Sequence, residues 1–348
     1  MNPSSFLTFF PFLALCFFSC QSYRTIEIGT YNPATITFPP EVKTIMIVNN
    51  AAQQPDNSLI QDGDGAEKES ILSLSADSMA YFFCLSLGKA MAESTVFDDV
   101  RLCDDTLRSD SVYIISRPFS PNDVKFFCDE YDVDALITLD KLYFKVFLIN
   151  QNQNMYFKWS LLTVVITGEL KALCPGYQSA LTIPFTDSLQ WATEETIYYK
   201  EIMEFTSEDI QLAMHYLAEY EGEKMNKHYV PYWDSDTRWF YTNFSSQWKR
   251  ASSFAIAEKW EEAANEWRPL FDKAKKWKQK AMLASNLALY YEIKGDFQKA
   301  IEYAEITNSL LKENVEEDNN LNMRQKSYLE VLTKRAENDE ALSLQLRE

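Results

Sequence analysis

Two histidines and eight glycines are all that 348 residues contain, and this shortage excludes more chemistry than any motif suggests. His215 and His228 belong to no HExxH pattern, so the paired-histidine metal site of that type is absent. The glycines build neither a phosphate-cradling loop nor a GxSxG nucleophile elbow. Six cysteines include no CxxC pair, which removes the common zinc and redox arrangements. His215 lies near Glu219 in an acidic helical stretch and reads as a surface or packed residue. His228 sits beside aromatics, where stacking explains it. The expectation is a protein that is not an enzyme, with no catalytic, metal or cofactor-binding residues and no cofactor.

Residues 1–19 lack every Asp, Glu, Lys, Arg and His, and Phe6 to Phe18 is almost wholly apolar. That run is too short for a membrane span, which needs ~20 residues of helix. It ends at Ser19-Cys20, and Gln21-Ser22-Tyr23-Arg24 is hydrophilic. The pattern predicts a signal peptide over 1–19, cut before Cys20, whose sulfur then carries palmitate-type acyl chains. Each buried CH₂ contributes ~0.8 kcal/mol, so a multiply acylated cysteine anchors firmly without spanning. Of the other cysteines, Cys16 leaves with the signal, and Cys84, Cys103, Cys128 and Cys174 remain. An oxidising envelope allows three disulfide pairings among those four, and buried free thiols are the plainer reading.

The net charge is −18, all of it in the mature chain. Such an acidic surface disfavours nucleic acid and anionic membrane faces, where lysine and arginine supply most of the binding. Lys273, Lys275, Lys276, Lys278 and Lys280 form one basic cluster, read as a solvated helix end rather than a docking patch. Glu194, Glu195, Glu201, Glu204, Glu208 and Asp209 form an acidic run, read as a solvated face. Hydrophobic residues at 46% and aromatics at 14% are enough for real cores.

Along the chain, residues 20–40 form a lipidated leader with an edge strand between Thr25 and Phe38. Val42 to Val48 is a β-branched apolar run, the pattern of a central strand buried on both faces. Asn49 to Lys68 reads as an exposed loop; its Asp62-Gly63-Asp64-Gly65 departs from a calcium loop at Ala66 and Glu67. Leu72 to Met91 has helical spacing. Val96 to Leu102 and Ser111 to Ser116 read as strands. Ser120 caps a helix over Pro121 to Tyr131 that turns Val124, Phe127 and Cys128 inward. Strands are then expected at Asp134–Leu139, Lys141–Ile149, Phe157–Leu173 and Tyr177–Pro184. This order predicts an α/β mixed-sheet domain over residues 41–190.

After Gln190 the pattern turns helical. Ser207 to Lys227 reads as one helix capped by Ser207, and His228 to Asp236 as an aromatic joint closing a linking region over 191–236. Residues 237–340 are expected to be all-α. Within them two segments align at an offset of 37 residues and resemble tetratricopeptide repeats. The better copy places Leu287, Ala288 and Tyr291 in a first helix, Gly295 at the turn, and Phe297 and Ala300 in a second. Small residues at Ala288 and Ala300 let two helices approach closely. Gly295 can take a positive φ without steric cost. The earlier copy carries Ala251, Phe254, Glu258, Trp260 and Ala263 at the same positions, with Glu258 in place of the turn glycine. A last helix starts near Asn320.

Asn32-Pro33-Ala34 through Phe38-Pro39-Pro40, and then Gly222, Pro231, Trp233, Arg238 and Tyr241, carry a resemblance. The chain resembles an uncharacterised family of Bacteroidota envelope lipoproteins. Its α/β part is also similar, on Val96–Leu102 and Asp134-Ala135-Leu136, to lipoprotein domains of the curli-assembly and penicillin-binding-protein-activator type. The resemblance implies a lipid-anchored protein with a repeat region and no assigned activity. Neither a retention aspartate nor an acidic run follows Cys20, so an outer-membrane location facing the periplasm is expected. The function expected is non-catalytic protein binding or scaffolding of another envelope protein through the helical repeats. The alternatives are a glycan-active enzyme with a carboxylate pair and an activator of a cell-wall synthase.

Overall fold

The computed structural model describes residues 23–56, 74–76, 78–103, 107–108, 110–154, 157–176, 181–196, 205–316 and 319–346. The signal segment, Cys16 and Cys20 lie outside the described residues, as does the Asp62–Gly65 stretch. The chain divides into two compact units. A sheet unit holds Tyr31–Trp233 with Asn338–Glu348, and a helical unit holds the chain up to Thr30 with Asp234–Glu337. In outline this is a mixed-sheet domain followed by an all-helical region.

In the sheet unit, β2 (Thr44–Asn49) lies between β3 (Asp99–Cys103) and β4 (Ala135–Asn154), parallel to both. Its apolar run follows from burial on both faces. Ile45 and Ile47 pack with Phe83, Leu87 and Met91 of α1 (Met79–Ala92). Met46 and Val48 pack with Val124 and Cys128 of α2 (Pro121–Tyr131). β4, β5 (Phe157–Leu173) and β6 (Leu181–Thr196) continue the sheet as an antiparallel meander. The five-stranded order is β3-β2-β4-β5-β6. α3 (Ser207–Lys224) joins α1 on one face through Ile210, Met214 and Leu217. Gly222 is required there: a Cβ on it would lie 2.3 Å from the Phe83 carbonyl oxygen.

Several expectations need correction. Ser111–Ser116 is not a strand among the described residues. Its backbone bonds to side chains instead: Arg108 donates to the carbonyls of Val112 and Ile115, and the Val112 N–H donates to Asp110. The strands expected at 134–139 and 141–149 are one strand, with a register shift between Leu139 and Lys141 that leaves Asp140 as the extra residue. Residues 50–54 are not an exposed loop. Asn50, Ala51, Ala52 and Gln54 are buried, and Gln54 exchanges two hydrogen bonds with the Phe144 backbone, as a paired strand would. The third helix is capped by Thr206, not Ser207, through a reciprocal bond with Asp209, and passes into a 3₁₀ turn at Met225–His228. β6 runs on to Thr196, past the predicted change at Gln190. Ser120 caps α2 as expected, with Asp123 returning the bond.

A further strand, β7 (Tyr232–Tyr241), stands where an aromatic joint over 228–236 and then helix from residue 237 were expected, and it pairs with β1 (Tyr23–Asn32). Its first half, from Trp233 to Thr237, is mostly exposed, and its second, from Arg238 to Tyr241, is buried or half-buried, so burial of the aromatic end prevails over the helical bias around it. Then come two helical hairpins, α4 (Ser246–Ile256) with α5 (Trp260–Lys273) and α6 (Trp277–Ile293) with α7 (Phe297–Asn314). Their turns hold Glu258 at φ 57° and Gly295 at φ 75°, the two positions that the 37-residue offset equates. Leu287, Ala288 and Ala300 are fully buried; Tyr291 and Phe297 are half-buried. α8 (Asn320–Leu346) follows, and its end belongs to the sheet unit. There the Gln345 amide brackets Ala34, accepting from its N–H and donating to its carbonyl, 311 residues away in sequence.

Candidate functional site

Six charged residues are buried among the described ones: Arg108, Asp140, Lys171, Glu221, Arg238 and Glu292. Each is neutralised by a neighbour. The first group sits at the carboxyl ends of β2 and β3, where α1 and α2 leave for opposite faces. Open α/β sheets bind ligands in that crevice. Here the chain fills it with its own side chains. Lys171 Nζ lies 3.0 Å from Asp140 and 2.9 Å from Glu169, and donates to Ser116 Oγ. Asn50 donates to Asp140 Oδ1 at 2.8 Å.

In the helical unit, Glu292 on α6 is held by Arg238 at 2.9 Å, Arg335 at 2.5 Å and the Tyr328 hydroxyl at 2.7 Å. Arg238 comes from β7, which is fastened to α6 again where Asn286 exchanges two bonds with the Tyr241 backbone. Trp239 packs its ring on Tyr328, 5.3 Å between centroids. These contacts cover the inner side of α6 with the chain's own strand. Of the repeat-packing residues, Ala288, Tyr291 and Ala300 share one apolar cluster and Leu287 lies in another, while Gly295 is exposed at the turn and Phe297 lies under Arg335.

Among the clefts of the sheet unit, one carries a broad aromatic wall. The ends of α1 and α3, the 3₁₀ turn and residues 230–233 surround a cleft of about 620 Å³. One wall is aromatic: Trp233 is 72% exposed, and its ring lies 5.0 Å from Tyr31 at 34°. Tyr220, 42% exposed, stands in the opposite group and stacks on Tyr216. Polar groups at the rim are Glu93, Glu223, Asn226 and Lys227. Glu93, Glu223 and Lys227 are in no ion pair among the described residues.

Lys224 also lines the cleft and is anchored behind it by Asp187 and Glu221. Burial pushes Glu221 up to about 7, helped by its hydrogen bond to Asp187 and opposed by Lys224. Asp187, against the desolvation that raises it, is held at about 2 by bonds from Glu221, Lys224 and the Ser188 N–H. A carboxylate pair with split acidities is what acid–base chemistry requires. These two touch each other, however, whereas glycoside hydrolysis needs them roughly 5–9.5 Å apart around the sugar.

The remaining candidates fall into place as packing. His215 lies 4.0 Å from the Phe82 ring and 3.5 Å from Glu219. His228 meets Thr35 at 2.9 Å rather than an aromatic ring. Cys84, Cys103, Cys128 and Cys174 are all free thiols. Burial pushes Cys84 and Cys128 up to about 12 and Cys174 to about 11, far from nucleophilic. Among the described residues, no cluster of His, Cys, Asp and Glu is suited to a metal, and no helix is long and apolar enough to cross a membrane. Sequence reasoning named Trp233 but missed Tyr31 and Tyr220. The signal for Tyr220 was available: Leu212, Tyr216 and Tyr220 form a stripe four residues apart, opposite the buried Ile210 and Met214.

Two family models match this chain. Residues 42–241, more than half of the chain, match the family described as Domain of unknown function (DUF8603), and the chain belongs to that family. Residues 249–334 match a second, Domain of unknown function (DUF6340). No curated protein matches. Among solved structures, a Helicobacter pylori homolog of neuraminyllactose-binding hemagglutinin is similar over 55% of this chain and 88% of that one. At 10% identity and a TM-score of 0.28, that likeness carries no argument.

Proposed function

We propose that the protein is a lipid-anchored envelope component that binds or scaffolds another molecule without catalysing a reaction. One observation carries this reading: every buried charge among the described residues is internally neutralised, while the exposed Tyr220 and Trp233 rings line the sheet-unit cleft. Catalytic groups are normally left poised toward a cleft rather than cancelled within the fold. The helical hairpins are tetratricopeptide-like in this reading. The support is the paired positive-φ turns at Glu258 and Gly295 and the fully buried Ala251, Ala263, Ala288 and Ala300. With β7 against α6, the helices act as a brace, and their outer surfaces are what a partner protein would meet.

Attachment through Cys20 to the outer membrane, facing the periplasm, completes the proposal. Its support is the apolar leader ending at Ser19-Cys20 and the hydrophilic start of the mature chain. The test has two arms. Cys20→Ser should move the protein out of the membrane fraction, and crosslinking of the tagged wild type in membranes should recover a reproducible envelope partner. Unchanged fractionation would remove the anchor, and repeated failure to recover any partner would remove the scaffold. Recovery of a cell-wall synthase would favour the activator alternative.

A further inference from the structure

Resting on that reading of a non-catalytic binding module, we infer that the sheet-unit cleft binds a neutral oligosaccharide, with Tyr31 and Trp233 as the platform for a sugar ring. An indole that is 72% exposed leaves a large apolar face in water unless something covers it. Tyr31, at 5.0 Å and 34°, extends that face into a shallow shelf rather than closing over it. A pyranose offers the matching object, a ring with an apolar C–H face and hydroxyls around its edge. The rim supplies what the hydroxyls need: Glu93 and Glu223 accept, Lys227 donates, and the Asn226 amide does both. The volume of about 620 Å³ falls within the usual range of ligand clefts.

The electrostatics choose among sugars. Lys224 is already matched by Asp187 and Glu221, so it offers little to an anion. Glu93 and Glu223, with no ion pair among the described residues, then face Lys227, which also has none among them, in a chain of net charge −18. Sialylated or uronic-acid polymers are repelled by such a field, and uncharged ones are not. A docking helix would want a continuous apolar floor, which these charged and amide groups interrupt.

The test is native affinity electrophoresis of the full chain in gels containing xyloglucan, galactomannan, dextran or polygalacturonate. At least one neutral polysaccharide should retard the protein, and polygalacturonate should not. Trp233→Ala should weaken that retardation about tenfold, the effect of losing one aromatic contact. Trp233→Tyr should recover part of it. Phe244→Ala, which removes an 80% exposed ring from the helical unit, should leave it unchanged. Because Trp233 is exposed, its alanine variant should keep the wild-type melting curve. No retardation by any of the three neutral polymers, retardation indifferent to Trp233, or preference for polygalacturonate would each overturn the inference. If crosslinking still recovers an envelope partner after such a result, only the ligand class is lost and the binding module stands.

Discussion

Trp239, Phe240 and Tyr241 pack within the helical unit, whereas Trp233, a few residues earlier in the same strand, stays exposed beside Tyr31 in the sheet unit. Both units treat charge alike, cancelling Asp140 with Lys171 and Glu292 with two arginines. They differ in what is left over. The helical unit leaves a cleft of about 550 Å³ beside Trp260, Glu292 and Arg335, and the sheet unit leaves one of about 620 Å³ that carries the shelf of Tyr31 and Trp233. The comparison teaches that two units can cancel buried charge alike and still leave different surfaces to solvent. The inferred sugar shelf belongs to the sheet unit, while the outer helical surfaces are those proposed to meet a protein partner.

The largest effect that would break this comparison is at Glu292. Glu292→Ala leaves Arg238 and Arg335 facing an empty site, and removing one partner of a buried ion pair costs about 3–5 kcal/mol. Urea unfolding should register that loss, with β7 freed from α6 as shown by new protease cleavage near Tyr241. If cleavage does not increase, the brace is not held by this cluster.

Next in size is Gly222→Ala in the sheet unit. The added methyl lies 2.3 Å from the Phe83 carbonyl oxygen, so α1 and α3 must separate. Overpacking of this kind costs about 1–3 kcal/mol, against the ~1 kcal/mol that alanine gains over glycine in a helix. Thermal unfolding should show a net loss.

The Glu221 pair gives a pH test confined to the sheet unit. Its carboxyl is raised to about 7 in the fold against the ordinary 4.5, so the folded state holds a proton that the unfolded chain releases. Stability from this group is therefore full below pH 4.5 and is lost as pH rises through about 7. Asp187 works in the opposite sense: its contribution is present above 3.8 and is lost as pH falls through about 2. Glu221→Gln should flatten the slope between pH 4.5 and 7 in a denaturant titration. A slope that survives the substitution would assign the effect elsewhere.

The smallest changes sharpen the comparison of turns and caps. Ser120→Ala should cost about 1 kcal/mol, through loss of the α2 capping bond. Glu258→Gly should stabilise the first hairpin by ~1 kcal/mol, since only glycine adopts φ 57° without a steric penalty. Gly295→Glu should cost a similar amount in the second hairpin.

What was legible in the sequence was local. The β2 run, the Ser120 cap and the equivalence of Glu258 with Gly295 follow from spacing and residue type, and each occupies its expected place. What escaped depends on partners distant along the chain. Asp140 reads as a break between strands until Lys171 and Asn50 are seen to bury it as a bulge. Ser111–Ser116 has strand composition, but Arg108 and Asp110 take up its backbone groups. The cleft was half legible: Trp233 was conspicuous, but its pairing with Tyr31 spans most of the sheet unit's sequence.

The bracket between Gln345 and Ala34 bears on biogenesis. A domain whose first and last segments are stitched to each other cannot finish assembling while its tail is still inside the ribosome. For this chain the sheet unit reaches its complete form only once Gln345 has left the ribosome, whichever compartment receives it. Products cut short before Gln345 would carry an unlatched segment at Ala34, a ready mark for proteolytic removal.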